Sequence, residues 1–289
     1  MAIRIVVMHM PPLRSVSLRL LLGSAVLIPI MLLRKARLPV GKEWGLLFVL
    51  STLMLAVSFS LVAWAIRRMP TGTTSLLFAS SPLLTAWLEP WLSGRSQRTH
   101  ISPMVIIGML GGLGGVALVL SNSTVAGYHL PVNSVVAVLF VVLFGSMATI
   151  IAKRVLKNIP VLTISTVETM MAGAFLGVAS FAIERHQPTI WTTQVILAIL
   201  FLGILSSALG FLLYYWLLMN IEPHLLQTRY LIMPIVAMTD GYLFLHEHIS
   251  PTMILGSVAV LGSLGLVLAA EAKASKAANH GLVPSDKKC

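Results

Sequence analysis

The stretch ISPMVIIGMLGGLGGVALVL occupies residues 101–120, and residues 249–268 read ISPTMILGSVAVLGSLGLVL. The two stretches are identical at ten of twenty positions, at an offset of 148. Farther upstream the offset is 152, and it pairs three residues of the first half with identical residues of the second: Phe59 with Phe211, Trp64 with Trp216 and Pro82 with Pro234. Matched prolines and tryptophans, together with a shared Ile-Ser-Pro tripeptide, indicate an internal duplication.

The composition of the whole chain indicates that the protein is surrounded by lipid. Hydrophobic residues make up 57% of the 289 residues, charged residues make up 10%, and the mean hydropathy is +0.93. A soluble domain carries about 25% charged residues, and a globule of this size cannot hide so much apolar surface from water. The composition therefore excludes a soluble enzyme, a disordered chain and a nucleic-acid-binding domain, although the formal net charge is +11.

Nine apolar runs are long enough to cross a bilayer, which takes about 20 apolar residues in a helix. Lipid offers no partner for open backbone groups, so each run is predicted to be helical. The runs cover residues 13–33, 44–66, 72–92, 103–120, 134–156, 161–183, 192–219, 223–245 and 250–270. The predicted fold is an all-α polytopic membrane protein that is embedded in a lipid bilayer and carries a polar tail over residues 271–289.

The duplication divides the chain into a first repeat over residues 1–122 and a second over residues 133–270. At an offset of 149, Pro11 pairs with Pro160, and about sixteen residues of a first helix are absent from the first repeat. We expect either a start that is internal to a longer gene, which we favour, or a body of nine and a half helices. Five helices per repeat is an odd number, so the repeats insert with opposite orientations, a signature of transporters.

Basic residues predict the orientation, because cytoplasmic loops of membrane proteins are enriched in lysine and arginine. With a cytoplasmic C-terminus, thirteen basic residues lie on the cytoplasmic side and five lie on the other. Arg19 and Arg229 lie within spans. We therefore predict a multi-pass protein whose C-terminus and polar tail are cytoplasmic.

Four motifs stand in order along the two halves: AIRRMPTG at 65–72, SSPLLTA at 80–86, PIVA at 234–237 and EHISP at 247–251. As an ordered set they resemble the EamA-type carriers of the drug/metabolite transporter superfamily. The resemblance implies ten helices in two inverted five-helix repeats around a central cavity. It also implies movement of small organic solutes, often amino acids or related metabolites and often outward. His246 stands where the family usually has a glycine, and Gly94-Arg95 replaces the corresponding Gly-Glu of the first half.

Four ionisable side chains within the predicted spans need an explanation, because a charge at the bilayer centre costs about 2.5–3.5 kcal/mol on insertion scales. Arg19 and Asp240 lie toward the outer ends of their spans, whereas Glu168 and Arg229 lie toward the inner ends. Arg229 and Asp240 also share one helical face. We predict that these two gate the cavity or anchor the substrate, and that they pair alternately with the other two. Snorkelling to headgroups or static interhelical pairs are the alternatives.

Further cavity residues are predicted from proline, serine and aromatic side chains. Pro82 and Pro234 occupy equivalent positions, and each frees a backbone carbonyl that could bind substrate. Ser80 and Ser81 are the neighbours that could satisfy the kinked backbone at Pro82. The predicted aromatic wall, for which core packing is the alternative, consists of Tyr214, Tyr215, Trp216 and Tyr230.

Other motifs point to packing or to the membrane interface. Trp87 and Trp91 flank Glu89-Pro90 at a span end, and these two tryptophans are assigned to the interfacial belt. The glycine pairs of residues 108–115 permit close helix contacts, within the protein or alternatively in a homodimer. The run at residues 246–248 lacks the i,i+4 histidine spacing of a zinc site, so no metal is predicted. Neither a Walker loop nor a hydrolase triad signature is present, and we predict no cofactor and no catalytic residue.

The sequence thus predicts a secondary transporter of small organic metabolites in a bacterial inner membrane. Export of amino acids or drug-like amphiphiles is favoured, by alternating access between the two repeats. A nucleotide-sugar or sugar-phosphate exchanger of the same superfamily is the alternative, and its anionic cargo would need a denser cationic cavity. An intramembrane enzyme or lipid-handling protein predicts catalytic groups at one depth. An inactive, truncated chain is a further alternative.

Overall fold

The protein is α-helical throughout the part that the structure describes. The structure is a computed structural model, and it describes residues 2–68, 71–92, 103–121, 131–233, 236, 239, 255–256, 258–259, 261–263, 265–267 and 269–270. Two of the predicted cavity residues, Pro234 and Asp240, lie outside the described residues. The same holds for the histidine-rich run at residues 246–248 and for the polar tail.

The helices follow one another with short connections. In chain order the described ranges contain α1 Ala2–His9, α2 Pro12–Leu33, α3 Lys42–Ile66, α4 Thr71–Ala79, α5 Ser81–Leu92, α6 Pro103–Ser121, α7 Val132–Val155, α8 Val161–Ile183, α9 Thr193–Asn220 and α10 Pro223–Gln227. Among the described residues, α2, α3, α7, α8 and α9 are long and apolar enough to cross a membrane. The predicted all-α polytopic membrane fold is confirmed.

The predicted span over residues 72–92 is divided into two helices, α4 and α5. Pro82 has no N–H to donate, and the chain turns just before it, at Ser80. The amide and the hydroxyl of Ser80 both donate to the Leu77 carbonyl, at 3.2 and 2.6 Å. The amide of Leu84 then bonds to the Ser80 carbonyl at 3.1 Å, in the first turn of α5. The proline therefore produces a helix break instead of a kink within one helix.

The two repeats run in opposite directions, as α2 and α8 demonstrate. These helices are equivalent at the sequence offset of 149. The start of α2 meets the end of α8, where the Glu184 carboxylate accepts the amides of Leu13 and Arg14, each at 3.0 Å. The end of α2 meets the start of α8, where Thr163 donates to the Arg37 carbonyl at 2.7 Å. Equivalent helices that lie antiparallel are the expected outcome of an inverted duplication.

The bundle has two chemically different ends, which we call the Arg37 end and the Glu184 end. At the Arg37 end two ion pairs, Arg37–Glu43 and Lys153–Glu222, each have an N–O distance of 2.9 Å. At the Glu184 end the Glu184 carboxylate occupies the N-terminus of α2, where free backbone amides and the helix dipole favour an anion. The Arg37 end is the end that the sequence predicts to be cytoplasmic.

Helices α3 and α9 each contain a wider, π-helical stretch, and the two stretches are equivalent in the repeats. They cover Ser51–Val57 in α3 and Leu202–Leu209 in α9. Phe59 and Phe211, which the offset of 152 pairs, touch with ring centroids 5.8 Å apart. Equivalent residues that touch lie at the symmetry axis of a duplication, so the pseudo-two-fold axis passes between α3 and α9. π-helical turns are frequently found at functional sites.

Helix α2 packs closely against both α8 and α9. The hydroxyl of Ser17 donates to the Gly173 carbonyl of α8 at 2.8 Å. A Cβ atom at Gly203 of α9 would lie 2.5 to 2.8 Å from side-chain atoms of Leu22. Such an approach requires glycine, as in other closely packed membrane helices.

The glycine-rich face of α6 is covered by the chain itself. A Cβ atom at Gly108 would lie 2.7 Å from Cγ2 of Val267, and one at Gly111 would lie 2.8 Å from Oγ of Ser263. Both contacts come from the last predicted span. These two glycines therefore serve packing within the protein, and a homodimer stays a prediction that would have to use another surface.

The close approach at Gly203 generates a stability prediction. Gly203→Ala should destabilise the folded protein by about 1–3 kcal/mol, because the added methyl group forces Leu22 or the α2 backbone to move. The measurement is thermal unfolding of the purified protein in detergent. Gly145→Ala is the matched control, since a Cβ there would have no atom of another described helix within 4 Å. An equal unfolding temperature for both variants would contradict the proposed packing.

Candidate functional site

Polar and aromatic side chains from several helices meet inside the bundle, in what we call the Tyr214 cluster. Most of them lie about two helical turns from the Arg37 end of their helices. Because α7, α8, α9 and the segment after α10 all place side chains at this depth, the groups converge. The members are Phe78, Thr149, Glu168, Tyr214, Tyr215, Gln227, Arg229 and Tyr230.

Hydrogen bonds connect α7 with α9 and α10, and α8 with α9, in this cluster. The hydroxyls of Tyr214 and Thr149 lie 3.0 Å apart, and the Gln227 amide donates to the same threonine oxygen at 3.2 Å. Tyr215 donates its hydroxyl to Oε2 of Glu168, which is fully buried. The second carboxylate oxygen, Oε1, has no hydrogen-bond partner among the described residues. A buried carboxylate with one free oxygen is equipped to accept a hydrogen bond from a ligand.

Arg229 lies over two aromatic rings of the cluster. Its Cζ atom is 4.5 Å from the Tyr214 ring centroid and 4.8 Å from that of Tyr230, and its NH2 atom donates to the Tyr230 hydroxyl at 3.0 Å. Phe78 extends the aromatic surface, with its centroid 5.1 Å from that of Tyr230. The arginine is exposed although the Tyr214 beneath it is only 8% exposed. The rings hold its guanidinium by cation–π contacts.

Arg19 is the repeat equivalent of Glu168, at the offset of 149. It is 5% exposed, and its Cζ atom lies 4.2 Å from the Phe59 ring centroid. A small cavity of about 20 Å³ beside it is lined in part by Ala63, which the offset of 152 pairs with Tyr215. Two symmetric positions thus carry opposite charges, and the tyrosine that bonds the carboxylate has no counterpart beside the arginine.

The predicted alternate pairing of charges is absent from this conformation as far as the described residues go. Within them, neither Arg19 nor Arg229 forms an ion pair with an acidic side chain. Each guanidinium lies on an aromatic ring instead, and Glu168 is held by Tyr215. Pairing in another conformation stays a prediction.

The residues around the predicted kink bond to their neighbours. Ser81 is buried, and its hydroxyl lies 3.2 Å from the Ser146 hydroxyl of α7. Pro82 is also buried, and Ser80 bonds within its own turn. In this conformation Ser81 joins α5 to α7, and none of the three residues is part of the Tyr214 cluster.

Trp216 lies apart from the Tyr214 cluster. It is 56% exposed, and it continues an exposed apolar stripe with Leu209 and Leu213, which is the composition of a lipid-facing surface. Successive helical residues differ by about 100°, and the inward directions of α9 are taken by Tyr214 and Tyr215. In this conformation Trp216 therefore makes no part of the Tyr214 cluster, and its place in the cavity wall stays a prediction.

Sequence reasoning missed a buried pair at the Arg37 end. Nδ1 of His224 and Oε2 of Glu89 lie 2.7 Å apart, with the two residues 2% and 1% exposed. The interfacial assignment covered the flanking Trp87 and Trp91 and gave Glu89 no role. The sequence did contain one indication of this contact. Both residues lie at ends of predicted spans, and the predicted topology places those two ends on the same side of the membrane. The uncharged cluster members Thr149 and Gln227 carry no comparable signal.

Comparison with known proteins shows relatives that span nearly the whole chain. The uncharacterized transporter YoaV of Bacillus subtilis is 24% identical over 263 residues, which cover 90% of this chain and 88% of YoaV. The uncharacterized transporter YvbV of the same organism is 25% identical over 277 residues, covering 95% of this chain and 88% of YvbV. The uncharacterized inner membrane transporter YedA of Escherichia coli is 25% identical over 244 residues, covering 83% and 76%.

The fold is also shared with a solved protein and described by a family model. One crystal structure of a protein matches with a TM-score of 0.71 and 19% sequence identity, covering 89% of this chain and 88% of the other. The family model of the EamA-like transporters matches residues 1–121 and 133–269. The chain therefore belongs to the EamA-like transporter family.

Proposed function

We propose that this protein is a secondary transporter that exports small organic metabolites, amino acids or drug-like amphiphiles, through the Tyr214 cluster. The observation that carries the proposal is the Arg229 guanidinium held over Tyr214 and Tyr230, connected through adjoining tyrosines to the buried Glu168. A solute carboxylate would bind Arg229, whose planar guanidinium suits bidentate contacts. A solute ammonium group would donate to the free oxygen of Glu168. The aromatic rings would contact the apolar part of the solute.

Alternating access is supported by the geometry of the repeats. The equivalent helices α2 and α8 lie antiparallel, and the axis passes between α3 and α9 at the contact of Phe59 with Phe211. Inverted repeats of this kind exchange conformations when the transporter reopens on the other side. Arg19 and Glu168, which carry opposite charges at equivalent positions, would then face the solute path in turn.

The orientation and location of the protein are part of the proposal. The Arg37 end carries the larger share of basic residues, which supports a cytoplasmic position for it and for the C-terminus. A bacterial inner membrane is consistent with the YedA relative, which is named as an inner membrane transporter. The exchanger of nucleotide sugars or sugar phosphates has no comparable support, since the described cluster contains one cation beside one carboxylate.

The role of Arg229 can be tested by charge removal. Arg229→Gln should lower the transport of carboxylate-bearing solutes by at least about tenfold, because a desolvated charge-assisted contact contributes about 2–5 kcal/mol when one partner is truncated. Flux is measured in proteoliposomes with a pooled metabolite mixture that is analysed by mass spectrometry.

Arg68→Gln is the matched control for this experiment. Arg68 also lies on an aromatic ring, with Cζ 4.1 Å from the Trp64 centroid, but at the Glu184 end of the bundle. It should retain the flux of the parent protein. Full transport by Arg229→Gln at normal expression would remove Arg229 from the proposed site.

Glu168 should determine how well the site binds solutes that carry a positive charge. Glu168→Gln should reduce transport of ammonium-bearing solutes by about tenfold or more while sparing carboxylates that lack an ammonium group, since the amide oxygen remains an acceptor but the negative charge is lost. The same pooled flux assay, scored by solute charge, gives the answer. Equal losses for both solute classes would mean that Glu168 supports the fold without selecting the solute.

A further inference from the structure

Arg19 is a buried cation whose charge is not compensated within the described residues. Its side chain is 5% exposed, and its Nε atom is buried without a hydrogen-bond acceptor in that part of the chain. No acidic side chain of the described ranges forms an ion pair with it. The guanidinium lies on the Phe59 ring, with Cζ 4.2 Å from the centroid. A buried charge that is left unpaired is strongly unfavourable.

The cavity beside this guanidinium has a volume of about 20 Å³. Arg19, Phe59 and Ser15 line it, and its other lining residues are all aliphatic. A cavity of this size has room for one water molecule or one monatomic ion. Organic ligands of metabolite or drug size occupy pockets of several hundred Å³. The cavity is therefore not a site for the transported solute.

Comparison of the two repeats explains why a cavity lies next to this charge. Arg19 is equivalent to Glu168, and Ala63, which lines the cavity, is equivalent to Tyr215. In the second repeat Tyr215 donates its hydroxyl to the buried carboxylate of Glu168. In the first repeat an alanine stands at the position of that tyrosine. The buried cation thus has empty space on the side where its equivalent has a hydrogen-bond partner.

The lining of the cavity favours an anion over a water molecule. A buried water makes about two to four hydrogen bonds, but the one polar side chain in the lining besides Arg19 is Ser15. Its hydroxyl already donates to the Pro12 carbonyl at 2.7 Å. Water would also leave the charge of the guanidinium uncompensated. A monatomic anion needs only donors, which the guanidinium supplies, and it neutralises the buried charge.

We propose that Arg19 and this cavity form a binding site for one monatomic anion of the size of chloride. The anion is the counter-ion of Arg19 in the conformation described here. The site is separate from the Tyr214 cluster, so it does not depend on which solute that cluster binds. Asp240, with which the sequence analysis pairs Arg19, lies outside the described residues. The test therefore includes Asp240 as the competing counter-ion.

The test measures stability in the presence of chloride and needs no transported solute. The purified protein is heated in a non-ionic detergent, and its unfolding is followed by tryptophan fluorescence. Sodium chloride is compared with sodium gluconate at constant ionic strength, because gluconate is too large for the cavity. An anion that binds only the folded protein raises the unfolding temperature, and the increase grows with the anion concentration.

Chloride should raise the unfolding temperature by about 3–5 °C for each tenfold increase above its dissociation constant. Arg19→Gln should abolish the difference between chloride and gluconate, because glutamine carries no positive charge. Ala63→Val keeps the arginine and should also abolish the difference, because its added methyl groups occupy the cavity. Arg68→Gln is the matched control, since it removes an arginine that lies on the Trp64 ring and outside this cavity. It should respond to chloride as the parent protein does.

Equal unfolding temperatures of the parent protein in chloride and gluconate would overturn the anion site. A chloride effect that either Arg19→Gln or Ala63→Val retains in full would also overturn it, and Ala63→Val decides if Arg19→Gln does not fold. If the parent protein lacks the effect and Asp240→Asn acquires it, Asp240 is the counter-ion of Arg19 and the proposal is wrong. Since flux is not measured, a protein that chloride stabilises but that moves no solute would contradict the proposed function and leave the anion site standing.

Discussion

The close contact of α2 with α8 and α9 is the interaction on which the rest of the structure depends. Ser17 bonds to the backbone of Gly173, and Leu22 lies against Gly203 with no room for a further carbon atom. Lipid supplies no strong hydrophobic force between helices, so small residues and interhelical hydrogen bonds must hold them together. This contact places equivalent helices of the two repeats side by side and antiparallel. The symmetry axis at Phe59 follows from it.

The symmetry of the two repeats relates the buried charges of the first repeat to those of the second. Arg19 and Glu168 occupy equivalent positions, yet one is a cation on a phenylalanine ring and the other a carboxylate that a tyrosine bonds. Buried charges contribute little net stability after the loss of hydration. Opposite charges at symmetric sites are therefore consistent with the solute contacts that we propose for this bundle. The π-helical stretches Ser51–Val57 and Leu202–Leu209 repeat the same symmetry in the backbone.

The sequence identified many of the cluster residues for a physical reason. Charged side chains such as Glu168 and Arg229 are conspicuous in apolar helices, because each needs an explanation in lipid. Thr149 was not identified, since a hydroxyl in a membrane helix can bond to its own backbone and so carries no strong signal. Whether Trp216 points inward could not be judged from the sequence, because the inward face of α9 was not known. Pro82 was correctly expected to disrupt its span, but the break at Ser80 depends on local hydrogen bonds.

The sequence by itself determined that the protein lies in a membrane, that it is helical and that it consists of an inverted duplication. Hydropathy, the need to pair backbone groups in lipid, and repeated motifs are properties of the chain that do not depend on packing. Only the tertiary structure decided which charges meet. Glu89 and His224 are 135 residues apart, and their contact depends on the lateral position and rotation of α5 and α10. Those quantities arise from the packing of the whole bundle and are not encoded in either span alone.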